Sequence, residues 1–401
     1  MPDLSGNLDI DLERTNAGLR VCIRSSRPLT AARVFAGKPV LDVARRLPML
    51  FSICSTAQSK ACAEACEQAL GLRAPASVRA QRANLLRAET LKEHLWRLLL
   101  DWPQALGLTP VHAPVAAAMR AFLALRAERG TDADPFLPGA GPRALATASR
   151  QAPGETLAAI AAEQVFGMPP RRWLEQVDRR GAFVTWAGTA KTVASELIGE
   201  VRRRQLAGLG RSAIAPLPDS PPPELSLALS GADADAFVAA PSWRGKAHET
   251  TPFARCRQHS LVADLATEHG NGLLPRLAAL LLELAQTAVM YEQEAAVGPG
   301  TGPVFGASGA QDASGPHGIG IGHAQAARGL LVHRVEVLDG RVASYRILAP
   351  TEWNFHPRGV VATGLADSGL ARLADDAELK RRAILYVTAI DPCVGYALSV
   401  S

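Results

Sequence analysis

The chain has 401 residues, 43 Lys plus Arg against 38 Asp plus Glu, and 48% hydrophobic residues, which excludes disordered, collagen-like and disulfide-framework proteins. A net charge of +5 with no Lys/Arg block gives no footprint for nucleic acid. Six cysteines are too few for a disulfide scaffold and no secretory apolar run opens the chain, so the expected compartment is the reducing cytoplasm.

In chain order, Asn7 to Arg24 predicts a hairpin: Asn7-Leu8-Asp9-Ile10-Asp11-Leu12 alternates with period two, and Thr15-Asn16-Ala17-Gly18 supplies the turn. Thr56 to Leu70 predicts a helix with Ala57, Ala61, Ala65 and Ala69 on one stripe and Gly71 as its stop. Leu85 to Leu100 predicts a second helix that ends before Pro103. Further helices are expected at Val115 to Arg129, Glu155 to Val165, Ala190 to Leu206 and Leu273 to Tyr291. The last carries Pro275, Arg276, Glu283 and Gln286, so a core helix is expected and no membrane span.

Two stretches interrupt the helical pattern. Pro216 to Pro223 holds five prolines in eight residues, which places a flexible connector at 214–224. Gly298 to Gly322 holds nine glycines in 25 residues and reads as a glycine-rich loop whose backbone can approach something closely but cannot hold itself rigid. Asp339-Gly340, between Val332 to Val337 and Arg341 to Ile347, is a type I′ hairpin signal. The apolar run Ile384 to Ile390 then reads as a strand that delivers the chain to Asp391-Pro392-Cys393. By itself Cys393 is either a metal ligand or a buried apolar residue. Cys62 and Cys66, four apart, share a helix face and are either packing residues or a metal pair.

Four segments together narrow the alternatives: Phe51-Ser52-Ile53-Cys54 with Gln58, Ala324-Gln325-Ala326-Ala327-Arg328-Gly329, Ala349-Pro350-Thr351-Glu352-Trp353-Asn354, and Asp391-Pro392-Cys393-Val394-Gly395-Tyr396. In this order the chain resembles the large subunit of nickel-iron hydrogenases from about Leu4 to Ser399. That family reads R-x-C-G-x-C-x-x-x-H, E-A-P-R-G, P-[ST]-T-W-N-x-x-P-R and D-P-C-x-x-C-x-x-H. Glu249 to Arg255 adds a likeness to its E-x-x-P-L-A-R stretch. The resemblance implies an α+β, predominantly helical fold, with a central helix bundle and peripheral β-hairpins, over residues 1–401 as one domain.

The departures shape the functional expectation. The family holds nickel and an Fe(CN)2CO unit with two pairs of cysteines, the first of each pair on nickel only and the second bridging both metals; by the resemblance Phe51 and Cys54 stand at the N-terminal pair and Cys393 and Tyr396 at the C-terminal pair, so one cysteine of each pair remains. The family's histidines fall at Gln58 and Ser399, and its proton-shuttling glutamate falls at Ser5, which cannot titrate near neutral pH. Two thiols cannot complete a four-thiolate nickel site. Arg328 and Thr351, which the resemblance assigns to the two cyanides, are kept, and Ala326 and Ala327 would form the apolar wall for carbon monoxide.

A chain with this pattern resembles the HupK/HoxV-type hydrogenase expression/formation proteins. The resemblance implies a non-catalytic scaffold that binds Fe(CN)2CO, without nickel, through Cys54 and Cys393 before transfer. It implies as partners a HypC-type chaperone, a HypD-type assembly factor and the hydrogenase large subunit. A rival expectation is a metal-free structural subunit of a redox complex, comparable to the quinone-site subunit of complex I. A residual one-iron enzyme is a third. His333 coincides with a family histidine and is read as packing beside the site.

Overall fold

The computed structural model describes residues 6–126, 134–141, 148–297, 317–367 and 369–401. Ser5 and the greater part of the glycine-rich stretch lie outside the described residues. The expected hairpin is present as β1 (Asn7–Thr15) and β2 (Gly18–Ser25), paired antiparallel from Leu8 with Ser25 to Thr15 with Gly18. Leu8, Ile10 and Leu12 are fully buried, as period-two alternation requires. A strand the sequence did not announce completes this sheet. The last segment, Gly395–Val400, runs parallel to β1 on its other edge, Asn7 opposite Gly395 and Leu12 opposite Val400.

Two helices follow the hairpin, α1 (Val40–Leu50) and α2 (Ser55–Ala69). The alanine stripe of α2 meets β3 (His317–Ala326). Gly318, Gly320 and Gly322 face that helix so closely that an added Cβ would lie 1.8, 1.8 and 1.9 Å from the carbonyl oxygens of Ala69, Ala65 and Ala61. Glycine every second residue on the strand thus interlocks with alanine every fourth on the helix. Residues 317–322 are therefore strand, a correction to the loop expected through Gly322: without side chains of their own to pack, these glycines admit the helix backbone.

β3 continues into β4 (Gly329–Leu338) and β5 (Arg341–Leu348), an antiparallel sheet in the order β3-β4-β5. Asp339 and Gly340 turn β4 into β5 with φ of +48° and +72°, the two positive φ values a type I′ turn needs. The connector expected at 214–224 is tied down: Leu217 N–H donates to Glu249 O at 2.7 Å and Leu217 is buried with Leu225, Leu229 and Trp353.

The helical body is built on α3 (Ala76–Trp96) and the long helix Leu273–Val297. Leu273–Gln293 is long and apolar enough to cross a membrane, but 78% of that window is buried inside the protein, where Leu277, Leu281 and Leu284 have no exposure. α3 does not stop before Pro103. It passes through a π turn, Arg97–Asp101, into the helix Trp102–Leu106, and the Leu99 carbonyl that Pro103 cannot reach accepts from Val111 N–H at 2.8 Å. Ile384 to Ile390 is likewise helix rather than strand. It ends the helix Asp376–Ile390, whose start is capped by Asp375 through Ala377 N–H, and Leu379, Ala383, Tyr386 and Ile390 bury one face.

Candidate functional site

Cys54 is the residue immediately before α2, and the first turn of that helix is held from α3. Glu89 accepts from the backbone N–H groups of Thr56 at 2.8 Å and Ala57 at 3.0 Å, filling two of the donors that a helix start leaves open. Burial raises the Glu89 carboxyl, opposed by Lys92 and by those two N–H bonds. The Cys54 thiol is pushed up to about 12 by burial, by Cys393 and by Glu89, against the opposing pull of Arg328 and Gln58. Cys54 is therefore a protonated thiol at neutral pH, and a metal taking its sulfur must displace the proton.

Cys393 arrives from the other end of the chain. The helix Asp376–Ile390 stops at Asp391, a non-glycine residue at φ +60°. Such backbone costs roughly 1–3 kcal/mol and persists where its surroundings hold it. Here they do: Arg97, carried by the π turn, pairs with Asp391, and Arg328 Nε lies 2.6 Å from the same carboxylate. Two residues on, the Cys393 sulfur meets the Thr351 hydroxyl at 3.0 Å. Thr351 lies in the short helix Pro350–Asn354 directly after β5.

Arg328 occupies the turn between β3 and β4 and is locked from below. A Cβ on Gly329, at φ +134°, would fall 2.0 Å from Thr250 O, so only glycine lets the turn seat there. Leu330 N–H donates to Thr250 Oγ1 at 2.8 Å, Thr250 N–H to Asn354 Oδ1 at 2.9 Å, and Asn354 Nδ2 to Arg328 O at 3.1 Å. The guanidinium then spans Glu93, 2.9 Å from Nη1, and Asp391. Burial works against the Glu93 charge, but Arg328 and Lys92 outweigh it and hold the carboxyl down at about 2. Ala326 and Ala327, beside Arg328, are buried.

Gln58 Nε2 approaches Cys54 Sγ at 3.7 Å, its Oε1 lies 2.9 Å from His333 Nε2, and His333 Nδ1 lies 2.8 Å from Tyr345 Oη. With the Gln58 amide nitrogen toward sulfur, His333 Nε2–H donates to Gln58 and Tyr345 O–H donates to Nδ1. Burial drives His333 down to about 3, so it is a neutral ring that fixes the Gln58 amide. Tyr345 also bonds Cys62, whose sulfur is 4.0 Å from Cys66 Sγ; both thiols are buried in the α1, α2 and β5 core.

Cys54, Cys393, Arg328 and Thr351 thus share one site, and Ala326 and Ala327 adjoin it. Among the described residues no group of three or more His, Cys, Asp or Glu is placed to hold a metal, so any metal here rests on the two thiols. That donor set, soft sulfurs beside a buried guanidinium and a hydroxyl, fits an iron unit carrying anionic ligands. Sequence reasoning missed Glu89, Glu93 and Arg97. Their signal was present as charges at i, i+4 and i+8 inside an otherwise leucine-rich helix. It also missed Arg27, which has no such signal.

The family model for nickel-dependent hydrogenases matches residues 277–398. Over most of its length the chain is similar to the hydrogenase expression/formation protein HoxV of Cupriavidus necator, 33% identical over 94% of this chain and 92% of the relative. It is similar to HupK of Bradyrhizobium diazoefficiens, 32% identical over 96% and 93%. The chain belongs to the HoxV/HupK family of hydrogenase expression/formation proteins. Its fold is that of a hydrogenase large subunit: the Ni-Fe-Se hydrogenase of D. vulgaris Hildenborough superposes with a TM-score of 0.62 at 16% identity, covering 94% of each chain. Within this HoxV/HupK chain, Phe51 and Cys54 are both partly buried against the core of α1 and α2, and Tyr396 is the second residue of the strand that pairs with β1, opposite Leu8.

Proposed function

We propose that this chain is a non-catalytic maturation scaffold. It binds, or helps assemble, the Fe(CN)2CO unit of a nickel-iron hydrogenase and passes it to the hydrogenase large subunit. The observation that carries this reading is the meeting of Cys54 and Cys393, from opposite ends of the chain, beside Arg328 and Thr351. On binding, each thiol gives up its proton as its sulfur takes iron. The Arg328 guanidinium and the Thr351 hydroxyl supply donors for the cyanides, and Ala326 and Ala327 supply the apolar wall for carbon monoxide. Two thiolates in place of four suit a cargo that must leave, and Phe51 and Tyr396 deny nickel its ligands. A HypC-type chaperone, a HypD-type assembly factor and the large subunit are the partners, and the cytoplasm the compartment, that this role requires.

Anaerobic purification from a hydrogenase-forming host, followed by metal analysis and infrared spectroscopy, tests it. Iron with CO and cyanide bands is expected, lost in Cys54→Ala and kept in Cys62→Ala. Absence of iron and of those bands from the wild-type protein overturns the reading.

One observation favours the rival, a metal-free structural subunit of a redox complex: Arg328 is paired with Glu93 and Asp391, so its guanidinium has partners within the protein. That reading expects Cys54→Ala/Cys393→Ala to leave function unchanged and an iron–sulfur partner to co-purify.

A further inference from the structure

Arg27 lies between Ser26 and Pro28, just after β2. Its backbone is pinned to the start of β1: Asn7 N–H donates to Ser26 Oγ at 2.9 Å and Ser26 N–H to Asn7 O at 3.0 Å. Gly6 makes the crossing possible, because a Cβ there would sit 2.6 Å from Arg27 Cα. The side chain runs inward, with 11% of it exposed, and Nη1 pairs with Glu352. The second oxygen of Glu352 accepts from Ala349 N–H at 2.9 Å, so the carboxylate is fixed from both sides. Glu352 follows Thr351, whose hydroxyl touches Cys393.

Two facts together mark Arg27. Its Nε–H is buried and has no hydrogen-bond partner among the described residues, whereas buried donors are nearly always satisfied. Its guanidinium also lies within electrostatic reach of both sulfurs, Cys393 and Cys54. Arg328 and Arg276 also bury an Nε without a hydrogen-bond partner; Arg328 shares the reach to both thiols, whereas Arg276 faces Glu249 and Tyr386. Iron(II) held by two thiolates and two cyanides carries net negative charge and two anionic nitrogen acceptors, which call for more than one buried donor.

We propose that Arg27 is a second binding residue for the anionic iron unit: Glu352 orients the guanidinium, and Nε–H donates to an iron-bound cyanide or thiolate at the Cys54–Cys393 pair. This rests on the scaffold reading and extends it to a residue from the N-terminal hairpin. It gives the site a second guanidinium donor, on the thiol side, without closing a coordination position.

The test compares wild type, Arg27→Lys, Glu352→Gln and Arg27→Met/Glu352→Gln, each purified anaerobically from a hydrogenase-forming host. Iron per chain, the cyanide stretching bands and the thermal midpoint are read for each. The double variant removes both charges, so it leaves no orphaned carboxylate. It is expected to melt close to Glu352→Gln while holding at least tenfold less iron; Arg27→Lys, which keeps the charge without Nε–H, is expected to hold iron with shifted cyanide bands. Wild-type iron content and unshifted bands in the double variant overturn the proposal and leave Arg27 as a partner of Glu352 alone. Should the double variant not fold, unshifted bands in Arg27→Lys overturn it equally. A wild-type protein without iron or diatomic bands overturns the scaffold reading, and this proposal with it, so the two failures are told apart by the wild-type sample.

Discussion

The Thr351 hydroxyl and the Cys393 sulfur, 42 residues apart in sequence, meet at 3.0 Å. Either atom can donate in that contact, and the hydroxyl can rotate to a neighbouring acceptor. Thr351→Val keeps the shape and removes the hydroxyl; Thr351→Ser keeps the hydroxyl. A hydrogen bond to a charged acceptor such as cyanide contributes about 1.5–3 kcal/mol, so retention of iron is expected to fall roughly tenfold or more in the valine variant and to stay near wild type in the serine variant, measured as iron per chain after gel filtration.

His333 sets a pH dependence of stability. Folded, it stays neutral down to about pH 3, whereas the unfolded chain takes up its proton below about 6.5. Across that interval the unfolded state binds more protons, so stability falls as pH falls and is unaffected above 6.5. His94, lowered by burial, acts in the same direction. The Glu93 contribution is present in full above the ordinary 4.5 and is lost as pH falls through about 2. Between pH 6 and 5 the difference between wild type and His333→Gln isolates the imidazole. Urea unfolding is expected to show a slope shallower by about 1.4 kcal/mol per pH unit in the variant.

Gly320→Ala places a methyl group 1.8 Å from the Ala65 carbonyl oxygen. Backbone on both sides leaves nothing flexible to yield, so β3 must move off α2. A loss of about 1–3 kcal/mol or more is expected in denaturant unfolding, whereas Gly340→Asn, at the open hairpin turn with nothing near its Cβ, is expected to be tolerated.

Arg82 on α3 grips Glu67 on α2 with two bonds, Nη1 to Oε2 at 2.8 Å and Nη2 to Oε1 at 2.7 Å, both side chains buried. Arg82→Met strands the Glu67 carboxylate and is expected to cost about 3–5 kcal/mol, with Arg82→Met/Glu67→Leu recovering much of it. Thermal melting of the two variants checks the ordering.

What could be read from the residues followed their local chemistry. Asp339-Gly340 announces its turn, and Leu8, Ile10 and Leu12 their strand face, because one short window holds all the information. Ile384 to Ile390 misled for the opposite reason: seven mostly apolar residues carry no period, and the helical stripe emerges only when Leu379 is included. The glycine-rich stretch announces a backbone that another element can approach closely, but not that its last glycines form a strand against a helix found more than 240 residues earlier. The site divided in the same way. Cys54, Cys393, Arg328 and Thr351 stood in motifs, whereas Glu93, Arg97 and Arg27 owe their place to tertiary contacts between distant elements.

The pairing of Gly395–Val400 with β1 sets a schedule for the molecule. The sheet joins segments more than 380 residues apart, so its third strand cannot pair by any local route, and β1 keeps one edge open until Gly395–Val400 docks. That strand begins two residues after Cys393, so its docking also fixes the segment that carries the thiol.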